Sequence, residues 1–554
     1  MPSLPVPMPG NPLPEMGAGS AASTRVASSD QAPPDRAPPN LAPPDLAKDS
    51  PPRLIWRLAL PAIIGLSANA LYHTVNAMFL GRLGAEAVSA VSAVFPVLIL
   101  LAAISEGIAV GTASLASRLL GAKDQDAANR AATTGLAVAL LTGIAVSITL
   151  SLCTGDVLAL FGVTDSAFPL AQAYLRIALC GYTLLMLQIF GDFLAIAAGN
   201  TRFSMWVLIA AFGINAVLDP VFIFGFGWGV TGAAAATLVA QMTAAAIYLV
   251  YFIKGLGHIR IAPRFLAALD GAALGGGPST GGHLEPQTGI PAAGNGSEPV
   301  ASPVRVPAGA SFFAKTGRHF SRMMLSRAIL AEIAVIGLPA TAATALTALA
   351  FALIYGRAAA YGDEAVAGIG IALRLYSLGA LPIYGFCLGA RPVLGYAWGA
   401  GDTARASAAL RFMLGVCLAA CAAYAVAILS FAPQILPLFT RDPGVAAVGV
   451  QTAHACFALF AFFGMHVALV TFLQSTGQAL LAGILLLAPQ GYFLIPGLLL
   501  LPPLWGLDGI LASILIAAGL TALASAAILV RQFGSLRRGG RLDARLAGSS
   551  PLAG

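Results

Sequence analysis

Gly107-Ile108-Ala109-Val110-Gly111, followed by Gly121-Ala122-Lys123-Asp124, is answered 278 residues later by Gly385-Phe386-Cys387-Leu388-Gly389 and Gly399-Ala400-Gly401-Asp402. The same offset pairs Pro61 with Pro339, Gly84 with Gly362, Glu86 with Glu364 and Val88 with Val366. It also pairs Phe161 with Phe439 and Gly199 with Gly477. Trp228-Gly229-Val230-Thr231-Gly232 is echoed by Trp505-Gly506-Leu507-Asp508-Gly509 at an offset of 277, a slip of one residue. Glycine and proline constrain the backbone more than the surface, so their recurrence predicts two copies of one backbone. In a membrane protein, two such halves enclose an interface that can open to either side, which is transporter architecture.

Composition puts that backbone in lipid. Hydrophobic residues make up 58% of the 554, charged residues 10%, and the mean hydropathy is +0.84. A soluble domain carries roughly 25% charged residues. The net charge of +7 is scattered between apolar runs with no basic stripe or aromatic platform, which excludes a nucleic-acid partner. The six cysteines, Cys153, Cys180, Cys387, Cys417, Cys421 and Cys456, lack CxxC spacing and read as packing residues rather than a metal or redox site.

Runs long enough to cross about 30 Å of hydrocarbon predict twelve transmembrane helices. They lie near 54–80, 87–116, 131–152, 169–198, 203–226 and 232–253, then near 331–357, 365–395, 405–430, 446–475, 480–501 and 507–531. The expected fold is an all-α polytopic membrane protein, with two pseudo-symmetric six-helix lobes around a central cleft. Its parts are a disordered tail (1–53), an N-lobe (54–256), a linker (257–327), a C-lobe (328–533) and a second tail (534–554). Arg118, Lys123, Arg130 and Arg202 follow helices two and four, and eight more Lys and Arg lie between Lys254 and Arg327. The positive-inside rule therefore places both termini and the linker in the cytoplasm. An even number of helices per half starts both halves on one side, so their symmetry axis runs along the membrane normal. The expected location is a bacterial inner membrane, with a plastid envelope as the alternative. The expected partners are the bilayer and small organic substrates, and the chain is expected to act as a monomer.

A charge inside a bilayer is costly and marks function by default. Only Glu106, Asp192 and Asp219 lie well inside apolar runs, and all three are in the first half. Asn215 and Asp219, four apart, share a helix face. Pro220 follows at once and breaks regular hydrogen bonding, which frees carbonyls for a cation site. A carboxyl group withdrawn from water holds its proton more tightly, which suits a group that a proton gradient loads and unloads. The bland alternative is that Asp219 only satisfies backbone groups at the Pro220 break. Asp192, on the preceding helix, reads either as the partner of Asp219 in a coupled dyad or as a cavity-lining group. Glu106 reads as a cleft residue or a structural one. In the second half Arg374 and Arg391 lie in apolar runs and must pair with acids, carbonyls or water, or recognise an anionic substrate. No HExxH, GxSxG, Walker A or DDxxD pattern is present, so neither an enzyme nor an ATP-driven pump is expected.

Leu60-Pro61 with Asn76-Ala77-Met78-Phe79-Leu80-Gly81-Arg82-Leu83-Gly84, the duplicated glycine stretches, and Asn215-Ala216-Val217-Leu218-Asp219-Pro220 with Gly232-Ala233-Ala234-Ala235-Ala236-Thr237 resemble the multidrug and toxic compound extrusion (MATE) family of the MOP flippase superfamily. The resemblance spans about 54–256 and 328–533. It implies two six-helix lobes and cation-coupled export of organic, usually cationic or amphipathic, compounds. Members with an N-lobe cation site use a helix-one Asp, the Asn and Asp of NxxxD, and a helix-six Thr. Asn215, Asp219 and Thr237 match, while Asn76 stands where the first Asp belongs and makes Asp192 a candidate substitute. The second half lacks the acids that a sodium site there requires, which favours H+ over Na+ as coupling ion, with no other cofactor and no metal. The expected function is proton-driven antiport. The rivals are an organic-anion exporter, a lipid-linked substrate flippase, and a non-transporting scaffold or embedded enzyme.

Overall fold

Glycine and proline recur at matched positions because the chain folds twice in the same way. The computed structural model describes residues 46, 49–83, 85–160, 168–261, 327–440 and 442–537, all helices and their connections. Most of both tails, residues 262–326 of the linker, Gly84 and Phe161 lie outside the described residues. The first half contains α1 (Pro51–Gly81), α2 (Ala85–Gly121), α3 (Gln125–Leu152), the short α4 (Thr154–Leu160), α5 (Phe168–Ala197), α6 (Thr201–Pro220) and α7 (Gly229–Lys254). The second contains α8 (Arg327–Ala359), α9 (Asp363–Gly399), α10 (Thr403–Ile435), α11 (Pro443–Phe457), α12 (Phe460–Ser475), α13 (Ala479–Leu487), α14 (Ile495–Leu500) and α15 (Pro502–Arg537).

Ten segments of the described residues are long and apolar enough to cross a membrane, and α11 with α12, bent by 46°, makes an eleventh. α1, with 31 residues, occupies the place of the first predicted span. The chain is an integral, multi-pass membrane protein. Three predicted spans are interrupted, the 203–226 span by a π turn at Val221–Gly225 just after Pro220. The 446–475 span breaks at Ala458–Leu459, where Phe457 and Phe460 both turn inward, 5.1 Å apart, against Tyr376 and Tyr424. Burial of those rings outweighs one straight helix. The 480–501 span carries a π turn over Ala488–Leu494, at Pro489, which has no backbone N–H to donate.

Backbone dihedrals follow the sequence offset. Gly199 and Gly477 both take left-handed φ (83° and 76°), as do Gly229 and Gly506 (55° and 62°). Asp124 and Asp402 are matching N-caps, accepting from Ala127 N at 2.9 Å and Arg405 N at 2.8 Å. Each satisfies an orphan donor of the following helix. Just before these caps Gly401 has φ 75°, and its counterpart Lys123 has φ 60°. Lysine in that conformation carries a steric cost of about 1 kcal/mol that glycine avoids. Lys123→Gly is therefore expected to raise the apparent melting temperature of the purified protein. An unchanged or lower value would contradict this reading of the turn.

The two halves exchange partners across a seam. Ser117 meets Gly395, its own counterpart, while Gly121 meets Tyr396 and Gly399 meets Arg118, two contacts related by the same offset. Gly107 approaches Gly337 and Thr341, and Gly385 approaches Ile63. Glycine is required at Gly107, Gly121, Gly385 and Gly399 because a side chain would fall on the opposing backbone, and at Gly395 it would fall on the Ser117 side chain,. The buried cores interlock as well. Leu54, Ile55, Leu58 and Ala59 of α1 pack in the core of the second half. Ile329 and Ile333 of α8 pack in that of the first. The first turns of α1 and α8 thus each reach into the core of the other half.

Candidate functional site

α6 begins at Asn200, whose side chain accepts from Phe203 N at 3.2 Å. It buries one stripe: Thr201, Ser204, Val207, Ala211, Asn215 and Asp219. The spacing of three and four is that of a helix with a single inward face, so the polar pair at its far end is forced into the interior. Asp219 is 0% exposed and Asn215 1%. An amide facing a carboxylate presents its NH2 group. In that orientation Asn215 donates to Asp219 Oδ2 at 2.8 Å and Oδ1 at 3.2 Å. Its carbonyl meanwhile accepts from Thr237 Oγ1 at 3.1 Å and Thr237 N at 3.0 Å. No ion pair to Asp219 exists among the described residues.

Pro220 removes one helical donor, so the carbonyl of Ala216 has no i+4 partner. The chain continues as a π turn, Val221–Gly225, with Phe226 N donating to Val221 O at 2.9 Å. π turns inside helices mark functional positions. α7 then returns so closely that a Cβ on Gly232 would lie 2.7 Å from the carbonyl carbon of Phe222. That approach sets Thr237, five residues on, beside Asn215. Leu80 of α1, Ile223 and Ala233 form a small buried cluster of their own, and Phe79 meets Phe224 edge-on at 6.3 Å. Leu80 lies one turn beyond Asn76, Ile223 one turn beyond Asp219, and Ala233 one turn before Thr237. With α1 packed along α6, that register puts the buried Asn76 level with Asp219, beneath an apolar cap.

The other candidates lie elsewhere. Asp192 is buried, but its Oδ1 accepts from Tyr248 Oη at 3.1 Å and from Ser204 Oγ. Ser204 and Asp219 are fifteen residues apart on α6, about 22 Å at 1.5 Å per residue. The structure therefore does not bring Asp192 to Asp219, and the dyad reading is replaced by a separate Asp192–Ser204–Tyr248 cluster nearer the α5–α6 turn. Glu106 faces the seam, where Thr344 Oγ1 of α8 lies 3.5 Å from its carboxylate. Arg374 stands exposed on α9. Arg391 lies at the seam with its guanidinium 5.7 Å from the Phe193 ring centroid. Among the described residues no three His, Cys, Asp or Glu side chains come together in a metal-binding group.

The sequence pattern of the MatE family matches residues 61–221 and 339–492, more than half of the chain. The chain belongs to the MatE family. Both matched segments start at the paired prolines of α1 and α8. Relatives include the multidrug export protein MepA of Staphylococcus aureus (strain N315), 26% identical over 480 residues, 86% of this chain and 93% of that protein. MepA of Staphylococcus saprophyticus is 24% identical over 483 residues, 87% and 94% of the two chains. Two solved structures share the fold with a TM-score of 0.73 at 23% identity, covering 89% of this chain and 98% of theirs. One is an outward-facing multidrug resistance MATE transporter and the other a MOP superfamily transporter from Pyrococcus furiosus. Homologues of this kind are transporters, and the chain is not an enzyme.

Within this MatE chain the structure adds a contact that the sequence did not reveal. Arg118 at the end of α2 and Glu332 at the start of α8 form an ion pair at 2.6 Å, and Ser114 Oγ donates to Gln474 O of α12. Both span the seam at the end where Gly121 and Gly399 close it. In the sequence Arg118 reads as an ordinary loop charge. The one signal that sets it apart is that its counterpart is Tyr396 rather than another charge.

Proposed function

We propose that this MatE chain is a secondary multidrug exporter that exchanges protons for organic cations by alternating access, with both termini in the cytoplasm of a bacterial cell. The observation that carries the reading is Asp219. It is a carboxylate wholly withdrawn from water, held by one amide and unpaired with any cation among the described residues. An ionised carboxylate offers about four lone-pair sites, and here one donor group faces it. A proton or another small cation completes such a site, and its arrival and departure change the local charge by a full unit. Thr237 holds the Asn215 amide in place, and neither Thr237 nor Asn76 carries a charge that would compensate the carboxylate. The name multidrug export protein carried by the MepA relatives supports organic compounds as cargo. The loop charges support the orientation.

Charge change becomes transport when protonated and unprotonated forms favour different arrangements of the halves. α6 packs on α1, and α1 has its first turns in the opposite core, so a change at Asp219 has a direct mechanical route to the seam. The test is flux in proteoliposomes under an imposed proton gradient, read by a lumenal pH dye and a fluorescent organic cation. Cation accumulation coupled to proton efflux is expected. Accumulation that is indifferent to the proton gradient and follows sodium would overturn the choice of coupling ion.

A further inference from the structure

Leu46, the only large apolar side chain between Pro44 and the start of α1, is buried with the core of the second half. Its Cδ1 also lies 3.5 Å from where a Cβ on Gly199 would stand, so it rests on the left-handed turn between α5 and α6 of the first half. Its backbone is held by the second half. Arg405, in the first turn of α10, donates from Nη2 to the carbonyl of Leu46 at 2.9 Å and to that of Asp49 at 2.5 Å. The Asp49 carboxylate pairs with Arg57 of α1 at 3.7 Å. A guanidinium keeps its charge and needs acceptors, and two carbonyls converging on one nitrogen pin these residues to the protein instead of leaving them in water. The 278-residue offset shows why only one half has this arrangement. The counterpart of Arg405 is Ala127, which follows the matched N-cap but has no side chain to reach with. At the other matched turn, Gly477, the group that comes to rest is Arg118 Nη1, from the side chain paired with Glu332. Each of the two matched turns is therefore covered by a group tied to the opposite half.

We propose that the chain ahead of α1, tied down at Leu46 and Asp49, is a strap that holds the seam closed at its Gly121–Gly399 end, and that this end opens only when the strap lets go of Gly199 or of Arg405. Separating the halves there moves the α5–α6 turn away from α10, and Leu46 touches the one while bonded to the other. The two attachments differ in kind. The bonds to Arg405 are directional and charge-assisted, whereas Leu46 meets Gly199 by apolar contact alone, so the strap parts from Gly199 and stays with the second half. It closes the seam alongside the Arg118–Glu332 pair, which joins α2 to α8. The proposal rests on neither proton coupling nor the orientation of the chain in the membrane.

The test is the rate at which a thiol reagent labels Ser117→Cys, a seam position 4% exposed, in purified full-length protein in lipid nanodiscs, with the chain that keeps Ser117 as background. Labelling reports the fraction of time for which that end is open. Arg405→Ala is expected to speed it roughly tenfold, the loss typical of a hydrogen bond to a charged partner, and Leu46→Ala to speed it severalfold. The double variant is expected to label no faster than Arg405→Ala, because one strap is released only once and its two attachments are not additive. Arg411→Ala, whose parent side chain donates to Ser407 O of its own helix at 3.3 Å, serves as control and is expected to label at the parental rate. Melting temperature and gel filtration check the fold of each variant, and Leu46→Ala decides alone should Arg405→Ala not fold. A parental rate in Leu46→Ala or in folded Arg405→Ala would overturn the proposal. So would rates that multiply in the double variant, or equal acceleration in the Arg411 control. The readout needs no gradient, so it stands apart from any failure of proton-driven export.

Discussion

Asp219→Asn is expected to insert and fold like the wild type and to export no more organic cation than empty vesicles when a proton gradient is the only energy source. The substituted side chain has the same shape and accepts the same Asn215 hydrogen bond that the carboxylate takes at 2.8 Å. Removing a potential charge from a site with 0% exposure relieves a desolvation cost, so stability is expected to hold or rise slightly. What disappears is the ability to bind and release a proton. The measurement is paired: melting temperature in detergent, and dye uptake with lumenal pH in vesicles. A variant that melts like the wild type and still couples dye movement to protons would remove Asp219 from the coupling role. The same result would leave the Asp192–Ser204–Tyr248 cluster as the remaining buried acid of the first half outside the seam.

The second large effect belongs to the glycine seam. A Cβ on Gly399 would stand 2.7 Å from the carbonyl carbon of Arg118, and one on Gly121 would stand 2.8 Å from that of Tyr396. These are backbone atoms that cannot turn aside. Overpacking of this kind costs about 1–3 kcal/mol, but only while the halves are closed at that end. Gly399→Val is therefore expected to shift the balance towards the arrangement open at the Arg118–Glu332 end, by roughly tenfold to a hundredfold. Turnover should collapse while the fold is retained. Gly415, where an added methyl group would meet no atom within 4 Å, supplies the control: Gly415→Val should transport normally. The readout is thiol-reagent labelling at Ser117→Cys with and without the valine, alongside dye flux. Unchanged labelling and wild-type flux would show that the seam does not need to close.

Much of this is legible in the chain because glycine, proline and N-capping aspartate declare backbone geometry. The Gly121/Gly399 and Asp124/Asp402 pairs are matched close approaches and matched caps. Hydropathy sets helix starts late, at 131 and 405 instead of 125 and 403, because it does not register a capped polar turn. The Asn215–Asp219–Thr237 grouping follows from a motif, and the structure brings the three together. The pairing of Asp192 with Asp219 fails on a matter of height. Both acids sit on neighbouring helices, but counting residues from the turn at Asn200 puts them far apart along the axis. The bend between α11 and α12 and the Arg118–Glu332 pair arise from partners remote in sequence, to which local patterning is blind.

The placement of Leu54, Ile55 and Leu58 among second-half residues has a consequence for biogenesis. A nascent chain that has emerged only as far as α7 has made its opening helix, but the apolar bed for that helix's first turns is not yet synthesised. Those turns gain their packing partners only once α9 and α10 are in place. Burial of the opening turns of α1 is thus among the last contacts to form in assembly, and truncation of the later helices would leave those apolar turns without their partners.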